Sequence, residues 1–417
     1  MKKNGFTLVE LLSIVVILGI IVVVALPQIS GSIGSKKEKQ YNKIVKIVEN
    51  AGKVYLTENG TMDSVSIDKL IESDYLTSGL KNPINNAPLT GCVKKIISDG
   101  VTKYKYEVDN CPNYLTTYIM DLYDNEETRI ENGLKKDNTP DQNIRYYGSN
   151  PNNYVRFNNE LWRIIGVFEN NVKLIRKDSL GNLVWDTSES SVNHGWGVNE
   201  WSQSALKNYL NTMYYGGTSV TCYNGENNQT TTCPKDRNGN FLTMDETSKE
   251  LIDYHTWNTG APNSSTLYNS TTKSYDTVEF YKAERGTVNG KICTGGGYCN
   301  DTVTRTTSWT GYIGLSYITD YAYASSENDC NTKIDQSSTY KCKKNNWMFK
   351  PTKAYWKLSP KDSSYQASGV WVVNGDGNAG GGGTSDARTV FPAIYLKSNV
   401  LKLEGTGTST DPYELSL

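Results

Sequence analysis

The first 27 residues constrain this chain more than any other stretch. They begin with a short basic segment, Met1 to Gly5, and continue as an almost unbroken apolar run that ends at Leu26 and Pro27. One carboxylate, Glu10, lies inside that run. A charged side chain at membrane depth costs about 2.5 to 3.5 kcal/mol on insertion scales. Glu10 therefore requires a compensating partner or a function of its own.

The order of these residues resembles the N-terminal signal of type IV pilins and type II secretion pseudopilins. That signal is a short basic leader, a glycine, a phenylalanine and a glutamate four residues later, and Gly5, Phe6 and Glu10 match it. The resemblance implies that residues 1–5 are a prepilin leader. It also implies that a prepilin peptidase cleaves after Gly5 and methylates the new amino group, and that residues 6–27 form the transmembrane or filament-core half of a long helix.

Such cleavage would supply the partner that Glu10 needs. The α-amino group of Phe6, with an unperturbed pKa of about 8, is a cation at neutral pH. Glu10 lies four residues further on, on the same helical face, and could equally neutralise the amine of a neighbouring subunit. The resemblance therefore implies other pilin or pseudopilin subunits as partners through this helix.

Two other interpretations of the same stretch are weaker. An ordinary secretory signal peptide has an apolar segment of about 7 to 15 residues without an acid, whereas this run is longer and contains Glu10. A plain membrane anchor is the other alternative, because about 20 apolar residues span a bilayer. We predict a single-pass membrane protein whose bulk lies on the extracellular face, at the cell surface or in a pilus.

The length and net charge of the chain limit how many domains it can contain and which partners it can bind. Its 417 residues allow two or three domains, and its net charge of −1 gives no electrostatic footprint for nucleic acid, so we expect none as a partner. A local basic cluster follows the apolar run, and its simplest interpretation is a segment beside the membrane. The cluster consists of Lys36, Lys37, Lys39, Lys43 and Lys46.

Eight cysteines occur as four close pairs, which predicts a local disulfide set in an exported protein. Zinc is the alternative, but zinc sites usually have Cys-x-x-Cys knuckles or nearby histidines, and the chain has only His194 and His255. We therefore expect no metal. The predicted pairs are Cys92 with Cys111, Cys222 with Cys233, Cys293 with Cys299, and Cys330 with Cys342.

A helical pattern continues from Phe6 through the apolar run and beyond it. Gly19 and Pro27 match the helix-softening positions of pilins, and Pro27 should kink the helix. Apolar residues then recur at helical spacing from Tyr41 to Tyr55. About 50 helical residues would form a rod about 75 Å long, of which the second half packs on a small domain.

The small domain is predicted to contain a hairpin. Residues 66–71 have the pattern of a short capped helix, and residues 92–97 and 103–108 flank a Ser-Asp-Gly turn. Cys92 and Cys111 would staple the open end of that hairpin. This plan is similar to Gram-positive pseudopilins, so we assign residues 6–112 to a pilin-like domain.

The remaining residues divide into a linker and a large domain. Residues 113–145 are mixed and charged, and we interpret them as a linker with some helix. Residues 146–417 contain short apolar or aromatic strands separated by long polar loops, with a three-stranded meander over 154–175 and a helix over 199–210. The predicted fold class is α+β, with a long N-terminal helix, a small hairpin domain and a large β-rich extracellular domain.

The large domain carries a second resemblance. Leu161-Trp162-Arg163-Ile164-Ile165-Gly166 and the later Trp356-Lys357-Leu358-Ser359-Pro360 look like a domain of unassigned function in Firmicute surface proteins. The order of that Trp-x-Leu-Ser-Pro strand, a Gly-centred turn and a final Pro-containing strand is similar to C-type-lectin-like domains, which bind ligands through long loops. The Glu-Pro-Asn and Gln-Pro-Asp tripeptides of calcium-dependent lectins are absent from the sequence.

The sequence offers little catalytic chemistry. His255 follows Asp253 by two residues, but no Gly-x-Ser-x-Gly turn places a nucleophile. Residues 236–240 depart from a calcium loop because Thr247 stands where that loop needs glutamate. Residues 380–383 lack the Lys-Ser ending of a phosphate loop, so we interpret them as a flexible tip. We expect no enzyme activity, no cofactor and no metal.

These observations predict a minor pilin or pseudopilin that displays a large binding or adhesion domain, with a glycan or a protein as its surface ligand. A secretion pseudopilin whose bulky head contacts exported cargo or caps the filament is a variant of this role. An extracellular enzyme on a pilin-type anchor is the alternative, since a fold does not dictate a function.

Overall fold

A computed structural model of the chain describes residues 33–58, 63–98, 100–109, 111–187, 196–262, 267–271, 274–286, 305–361 and 368–417. The chain divides into two compact units, Met1–Asn113 and Tyr114–Leu417. The features predicted at Gly5, Phe6 and Glu10 lie outside the described residues, and so does the predicted pair of Cys293 and Cys299.

Unit 1 is built on one long helix, α1 (Ile33–Glu58). Its inner face carries the apolar residues that the helical spacing predicts, and these are buried in the core of the unit. Gly52 permits the close approach of this helix to the sheet, because a Cβ there would lie 2.4 Å from Cβ of Val93. The buried residues of α1 are Ile44, Val48, Ala51, Tyr55 and Leu56.

The other half of unit 1 is a three-stranded antiparallel sheet in the order β1-β2-β3. The predicted hairpin is confirmed. A short helix, α2, leaves β1 where the side chain of Ser66 accepts a hydrogen bond from the Lys69 backbone N–H. The elements are β1 (Ser64–Ser66), α2 (Ile67–Glu72), β2 (Cys92–Ser98) and β3 (Val101–Glu107).

Unit 2 consists of many short strands with helices between them. Its α-helices are α3 (Leu115–Asp124), α4 (Glu126–Asn132), α5 (Ala205–Asn208), α6 (Glu246–Leu251), α7 (Thr277–Glu284), α8 (Ile318–Tyr323), α9 (Asn328–Thr332) and α10 (Tyr340–Lys344). There are also 3-10 helices at Trp201–Gln203 and Ile334–Ser338, and a π-helix at Tyr209–Tyr215 that continues α5.

The described strands of unit 2 extend over most of its length. They are β4 (Leu134–Lys136), β5 (Ile144–Tyr146), β6 (Tyr154–Phe157), β7 (Glu160–Phe168), β8 (Asn171–Arg176), β9 (Asn182–Leu183), β10 (Cys222–Tyr223), β11 (Thr230–Thr231), β12 (His255–Asn258), β13 (Tyr268–Asn269), β14 (Ser274–Tyr275), β15 (Ser308–Gly311), β16 (Ile313–Leu315), β17 (Tyr355–Pro360), β18 (Gly369–Val373), β19 (Ala379–Gly383), β20 (Arg388–Thr389), β21 (Pro392–Tyr395), β22 (Leu401–Lys402) and β23 (Leu415–Ser416).

Two sheets organise these strands. The larger has the order β16-β21-β8-β7-β5-β4, with β6 paired to β7, and contains the predicted meander. The smaller has the order β19-β18-β17-β20-β9. Both bury aromatic residues at the centre of the unit. The fully buried tryptophans among the described residues are Trp162, Trp185, Trp201, Trp257, Trp356 and Trp371.

Two predictions for this region differ from the structure. Residues 114–145, predicted as part of a linker, supply two strands to the larger sheet and bury Leu115 and Ile119 in its core. Their charged residues conceal this role, because only a few apolar side chains face inward. Residues 380–383, predicted as a flexible tip, instead belong to β19, which pairs with all of β18. A Cβ at Gly381 or Gly382 would collide with the side chain of Lys361 or Arg388, so the glycines make room for these side chains.

Candidate binding surface and buried charge network

Three of the predicted disulfides are present. Cys92–Cys111 closes the end of the β2–β3 hairpin, and the Cα atoms of the two cysteines lie 5.8 Å apart. The other two bridges lie in unit 2, with Cα–Cα distances of 5.2 Å and 5.8 Å. All six described cysteines take part in these bridges and none is free. The alternative that they bind zinc is therefore wrong for these six. The unit 2 bridges are Cys222–Cys233 and Cys330–Cys342.

A cluster of three tyrosines lies at the surface of unit 2, and we call it the tyrosine surface. Tyr215 stacks on Tyr312 with ring centroids 4.0 Å apart and planes 13° from parallel. Tyr254 leans against Tyr312 at 4.8 Å and is 60% exposed. Aromatic faces of this kind pack on flat apolar groups while their hydroxyls remain available for hydrogen bonds. The arrangement can therefore hold a sugar ring or a peptide segment.

Local backbone structure sets the position of these rings. The π-helix that ends at Tyr215 buries Tyr209, Leu210, Met213 and Tyr214 and leaves Tyr215 partly accessible. π-helical turns recur at functional sites because the wider turn redirects side chains. Burial, reinforced by a hydrogen bond with Tyr312, raises the pKa of Tyr215 well above its ordinary value. A tyrosine hydroxyl is protonated at neutral pH even without this shift, so the hydroxyl of Tyr215 can both donate and accept a hydrogen bond.

His255 adjoins the tyrosine surface in sequence, and its environment is structural. Its Nδ1 lies 3.0 Å from the Asp253 carboxylate, and its ring stacks on the buried Tyr395 at 3.7 Å. Within the described residues no side chain contributes a nucleophile to this pair through a hydrogen bond on Nε2. A histidine and an aspartate without a nucleophile do not form a hydrolytic triad.

A buried charge network occupies the centre of unit 2, and Asp320 is its hub. The carboxylate of Asp320 accepts a hydrogen bond from Arg145 Nη1 at 2.6 Å and another from Lys173 Nζ at 2.7 Å. Arg145 Nε also pairs with Asp137 at 2.7 Å. Burial opposes ionisation of Asp320, but the charges of Lys173 and Arg145 outweigh it and hold the pKa of this carboxyl well below its usual range.

Two further ionisable groups are buried beside this network. Their hydrogen-bond partners are neutral, although Arg285 Nη1 lies 4.0 Å from the Glu284 carboxylate. Lys357 Nζ donates to the hydroxyl of Ser316 at 2.8 Å, and burial lowers the pKa of Lys357 to about 7. Glu284 accepts hydrogen bonds from the backbone N–H and the hydroxyl of Thr319, and burial raises its pKa to about 7. Because all of these side chains are nearly inaccessible to solvent, the network is suited to holding the fold rather than to meeting a substrate.

The described residues contain no cluster of histidine, cysteine and carboxylate groups suited to a metal ion. The Asp236 carboxylate, which lies in the sequence that superficially resembles a calcium loop, accepts hydrogen bonds from the backbone N–H groups of Asn238 and Asn240, both at 2.8 Å. The carboxylate of Asp236 therefore stabilises a turn that begins three residues after Cys233.

Sequence reasoning missed both the tyrosine surface and the charge network. The three tyrosines come from separate segments, so no spacing connects them. Lys173 and Lys357 lie in strands where neighbours on both sides are also buried, and their sequence context matches that of ordinary strand residues. The one usable signal was Asp320. It lies in the first turn of a helix that closely follows an apolar strand, and its carboxylate accepts a hydrogen bond from the Tyr317 N–H at the start of that helix.

Comparison with known proteins gives one match. Residues 1–26 match the family described as the prokaryotic N-terminal methylation motif. No curated protein and no solved structure matches the chain. The chain therefore carries a signal like that of type IV prepilins, which implies processing by a prepilin peptidase, assembly with other pilins, and a membrane-anchored or surface location. Within the described part of the chain no helix has both the length and the apolar character that crossing a membrane requires.

Proposed function

We propose that this chain is a minor pilin or pseudopilin subunit that displays unit 2 as an extracellular binding domain. The observation that carries the proposal is the match of residues 1–26 to the N-terminal methylation motif. In this role the peptidase cleaves between Gly5 and Phe6, and Glu10 neutralises the methylated amine of Phe6 on the same or a neighbouring subunit. The helix that contains Phe6 then joins the subunit to a pilus or a secretion pseudopilus.

The division into two units supports a display role for unit 2. Unit 2 has its own core, two sheets and local disulfides, as expected for a domain exposed outside the cell. We propose that it is related to the C-type-lectin-like domains, with which it shares short strands and long connecting segments. Its ligand on this proposal is a glycan or a protein.

We further propose that unit 2 acts by binding and not by catalysis. The tyrosine surface supports this, because exposed aromatic clusters are favoured where a ligand must be held without a deep pocket. Asp320, Glu284 and Lys357, whose pKa values are strongly shifted, are buried in the core, where a substrate has no access. These features favour adhesion over the alternative of a pilin-anchored enzyme.

Processing is tested by mass spectrometry of the protein extracted from the cell surface. We expect an N-terminus at methylated Phe6. An N-terminus near residue 26 would indicate an ordinary signal peptide, and retention of residues 1–5 would indicate a plain anchor, so either result contradicts the proposal. Glu10→Ala should still be cleaved but should enter filaments less than Glu10→Asp, which keeps the charge. Equal incorporation of the two variants would remove the pairing role of Glu10.

Binding is tested with a glycan array and with whole target cells, using the soluble products of Tyr254→Ala and a matched control. Tyr254→Ala should weaken adhesion about tenfold or more, as expected for loss of an aromatic contact worth about 1.4 kcal/mol or more. Tyr340→Ala is the control, because Tyr340 is 76% exposed and lies outside the tyrosine surface. Equal loss in both variants, or none in either, would contradict the role of this surface.

A further inference from the structure

A small pocket in unit 2 is lined by basic side chains. The pocket has a cavity volume of about 10 Å³, which is close to the smallest space that holds one water-sized atom. Aromatic residues form much of its wall, among them Trp347 and Phe391. The basic residues that line it are Arg163, Arg176, Lys177 and Lys350.

Arg163 is buried at this pocket without a carboxylate partner. Only 5% of its surface is exposed, and its guanidinium lies between the rings of Tyr154 and Trp347, at 4.2 Å and 4.5 Å from their centroids. Its Nε donates to Asn153 Oδ1 at 2.7 Å, and its Nη2 donates to the Pro151 carbonyl at 3.3 Å. Nη1 of Arg163 donates no hydrogen bond to any described residue. This nitrogen is therefore available to donate a hydrogen bond to a ligand, and no described carboxylate neutralises the charge of the guanidinium.

Lys350 is the second cation at the pocket without a partner. It is partly buried, its Nζ lies 5.5 Å from the centre of the Phe391 ring, and it forms no ion pair with a described carboxylate. Burial and the charge of Arg163 lower the pKa of Lys350 to about 8, although Asp178 opposes this shift. The two unpaired cations therefore repel each other, and a bound negative charge would relieve that repulsion.

The other two basic residues are already neutralised. Arg176 forms a two-pronged ion pair with Glu160, at 2.5 Å and 2.7 Å, and Lys177 lies 3.7 Å from the Asp178 carboxylate at the surface. The net positive charge of the pocket therefore comes from Arg163 and Lys350. Unit 2 pairs the buried Arg145 and Lys173 with carboxylates. Lys357 donates to the Ser316 hydroxyl instead, and Arg163 and Lys350 also lack a described carboxylate partner, but of these three cations only Arg163 and Lys350 line the pocket.

We propose that this pocket binds one oxygen of an oxyanion, a carboxylate or a phosphate group of a ligand, between Arg163 Nη1 and Lys350 Nζ. Its volume admits one oxygen atom, while the rest of the ligand stays outside. An oxygen anion accepts hydrogen bonds from both donors, and such charge-assisted bonds are about twice as strong as neutral ones. The site goes beyond the proposed function and depends neither on N-terminal processing nor on the tyrosine surface.

The first test measures protection of Lys350 in the full chain, purified in detergent. An amine-acetylating ester is applied with sodium phosphate, with sodium acetate, or with sodium chloride at equal ionic strength, and labelling rates are read by peptide mass spectrometry. A bound oxyanion that raises the pKa of Lys350 by about one unit slows its acetylation about tenfold. Lys353 is the internal control, because it is exposed and does not line the pocket.

Protection by both phosphate and acetate supports a general oxyanion site, and protection by one of them supports a site for that group. Equal rates in all three salts, or equal slowing of Lys350 and Lys353, would overturn the proposal. Calorimetry with inorganic phosphate provides a second measurement: Lys350→Gln should lose at least half of the wild-type heat, whereas Lys353→Gln should keep it. Equal heats from the two variants would also overturn the proposal.

Discussion

The two units differ in what they bury. Among the described residues, Ser64 is the only polar side chain buried in unit 1, whose core is an amphipathic helix packed on a hairpin sheet. Unit 2 buries many charged side chains together with its aromatic core. They are Asp137, Arg145, Arg163, Lys173, Arg176, Asp186, Glu200, Glu284, Arg305, Asp320 and Lys357.

This difference teaches that the units depend on different interactions for a unique fold. Unit 1 is ordered mainly by apolar burial, together with the Cys92–Cys111 bridge and the Ser66 cap. In unit 2 a buried charge is costly unless an opposite charge pairs with it, so we expect the network of Arg145, Lys173 and Asp320 to favour the one arrangement of strands that brings these side chains together. All nine tryptophans lie between residues 162 and 371, within unit 2, so tryptophan fluorescence reports on unit 2 alone. Far-UV circular dichroism reports on both units.

The largest effect is expected from Asp320→Asn. This change leaves Arg145 and Lys173 buried without a shared negative partner, so it should destabilise unit 2 by about 3 to 5 kcal/mol. Urea unfolding followed by tryptophan fluorescence measures the change. Asp178→Asn is the control, because its side chain is 76% exposed, and it should shift stability by less than about 0.5 kcal/mol. Equal effects of the two variants would show that the network does not order unit 2.

Leu70→Ala tests unit 1 in the same way. Leu70 is fully buried in the core of unit 1, and its truncation should cost about 2 to 5 kcal/mol of the stability of that unit. Hydrogen exchange of the α1 backbone amides should speed up accordingly, while the fluorescence transition of unit 2 stays unchanged. Ile97→Ala, at a position 65% exposed, should have little effect. A shift in the fluorescence midpoint would contradict the independence of the two cores.

Lys357→Met tests whether the buried charge of unit 2 makes its stability depend on pH. The pKa of Lys357 is lowered to about 7 in the folded state and is about 10.5 in the unfolded chain. Between these values the unfolded state binds the extra proton, so this lysine makes wild-type stability rise with pH by up to about 1.4 kcal/mol per unit. The advantage of the methionine variant over wild type should therefore shrink from about pH 7 to pH 9. A difference between the two proteins that stays constant from pH 7 to pH 9 would refute the shifted pKa.

The smallest effect is expected from Ser66→Ala, which removes the hydroxyl that accepts from the Lys69 N–H at the start of α2. Loss of such a cap costs about 1 kcal/mol. Ser66→Asp keeps an acceptor and should retain most of the stability. Hydrogen exchange at the first turn of α2 distinguishes them, and identical protection in both variants would mean that the cap contributes nothing.

The predictability of the structure follows the same division. In unit 1 the buried face of α1, the Ser66 cap and the Cys92–Cys111 staple were all predicted, because spacing, capping residues and close cysteines are local signals. In unit 2 the meander was predicted for the same reason.

The unpredicted features depend on contacts between distant segments. Asp320 meets Arg145 across 175 positions of the chain, and Tyr312 meets Tyr215 across 97 positions. No local pattern connects such residues, because their pairing is decided by sheet order. The strands at 134–136 and 144–146 were missed for a related reason: each is three residues long and gains its hydrogen bonds only from the sheet that it joins.

The Cys92–Cys111 bridge has a mechanical consequence. In a subunit pulled between its N-terminal helix and unit 2, tension that arrives along the backbone at Cys92 can cross directly to Cys111 through two sulfur atoms. Residues 93–110, which include most of β2 and all of β3, then carry none of the pulling force. Traction would leave the hairpin unstretched until the bridge is reduced, and reduction would release these residues as added contour length.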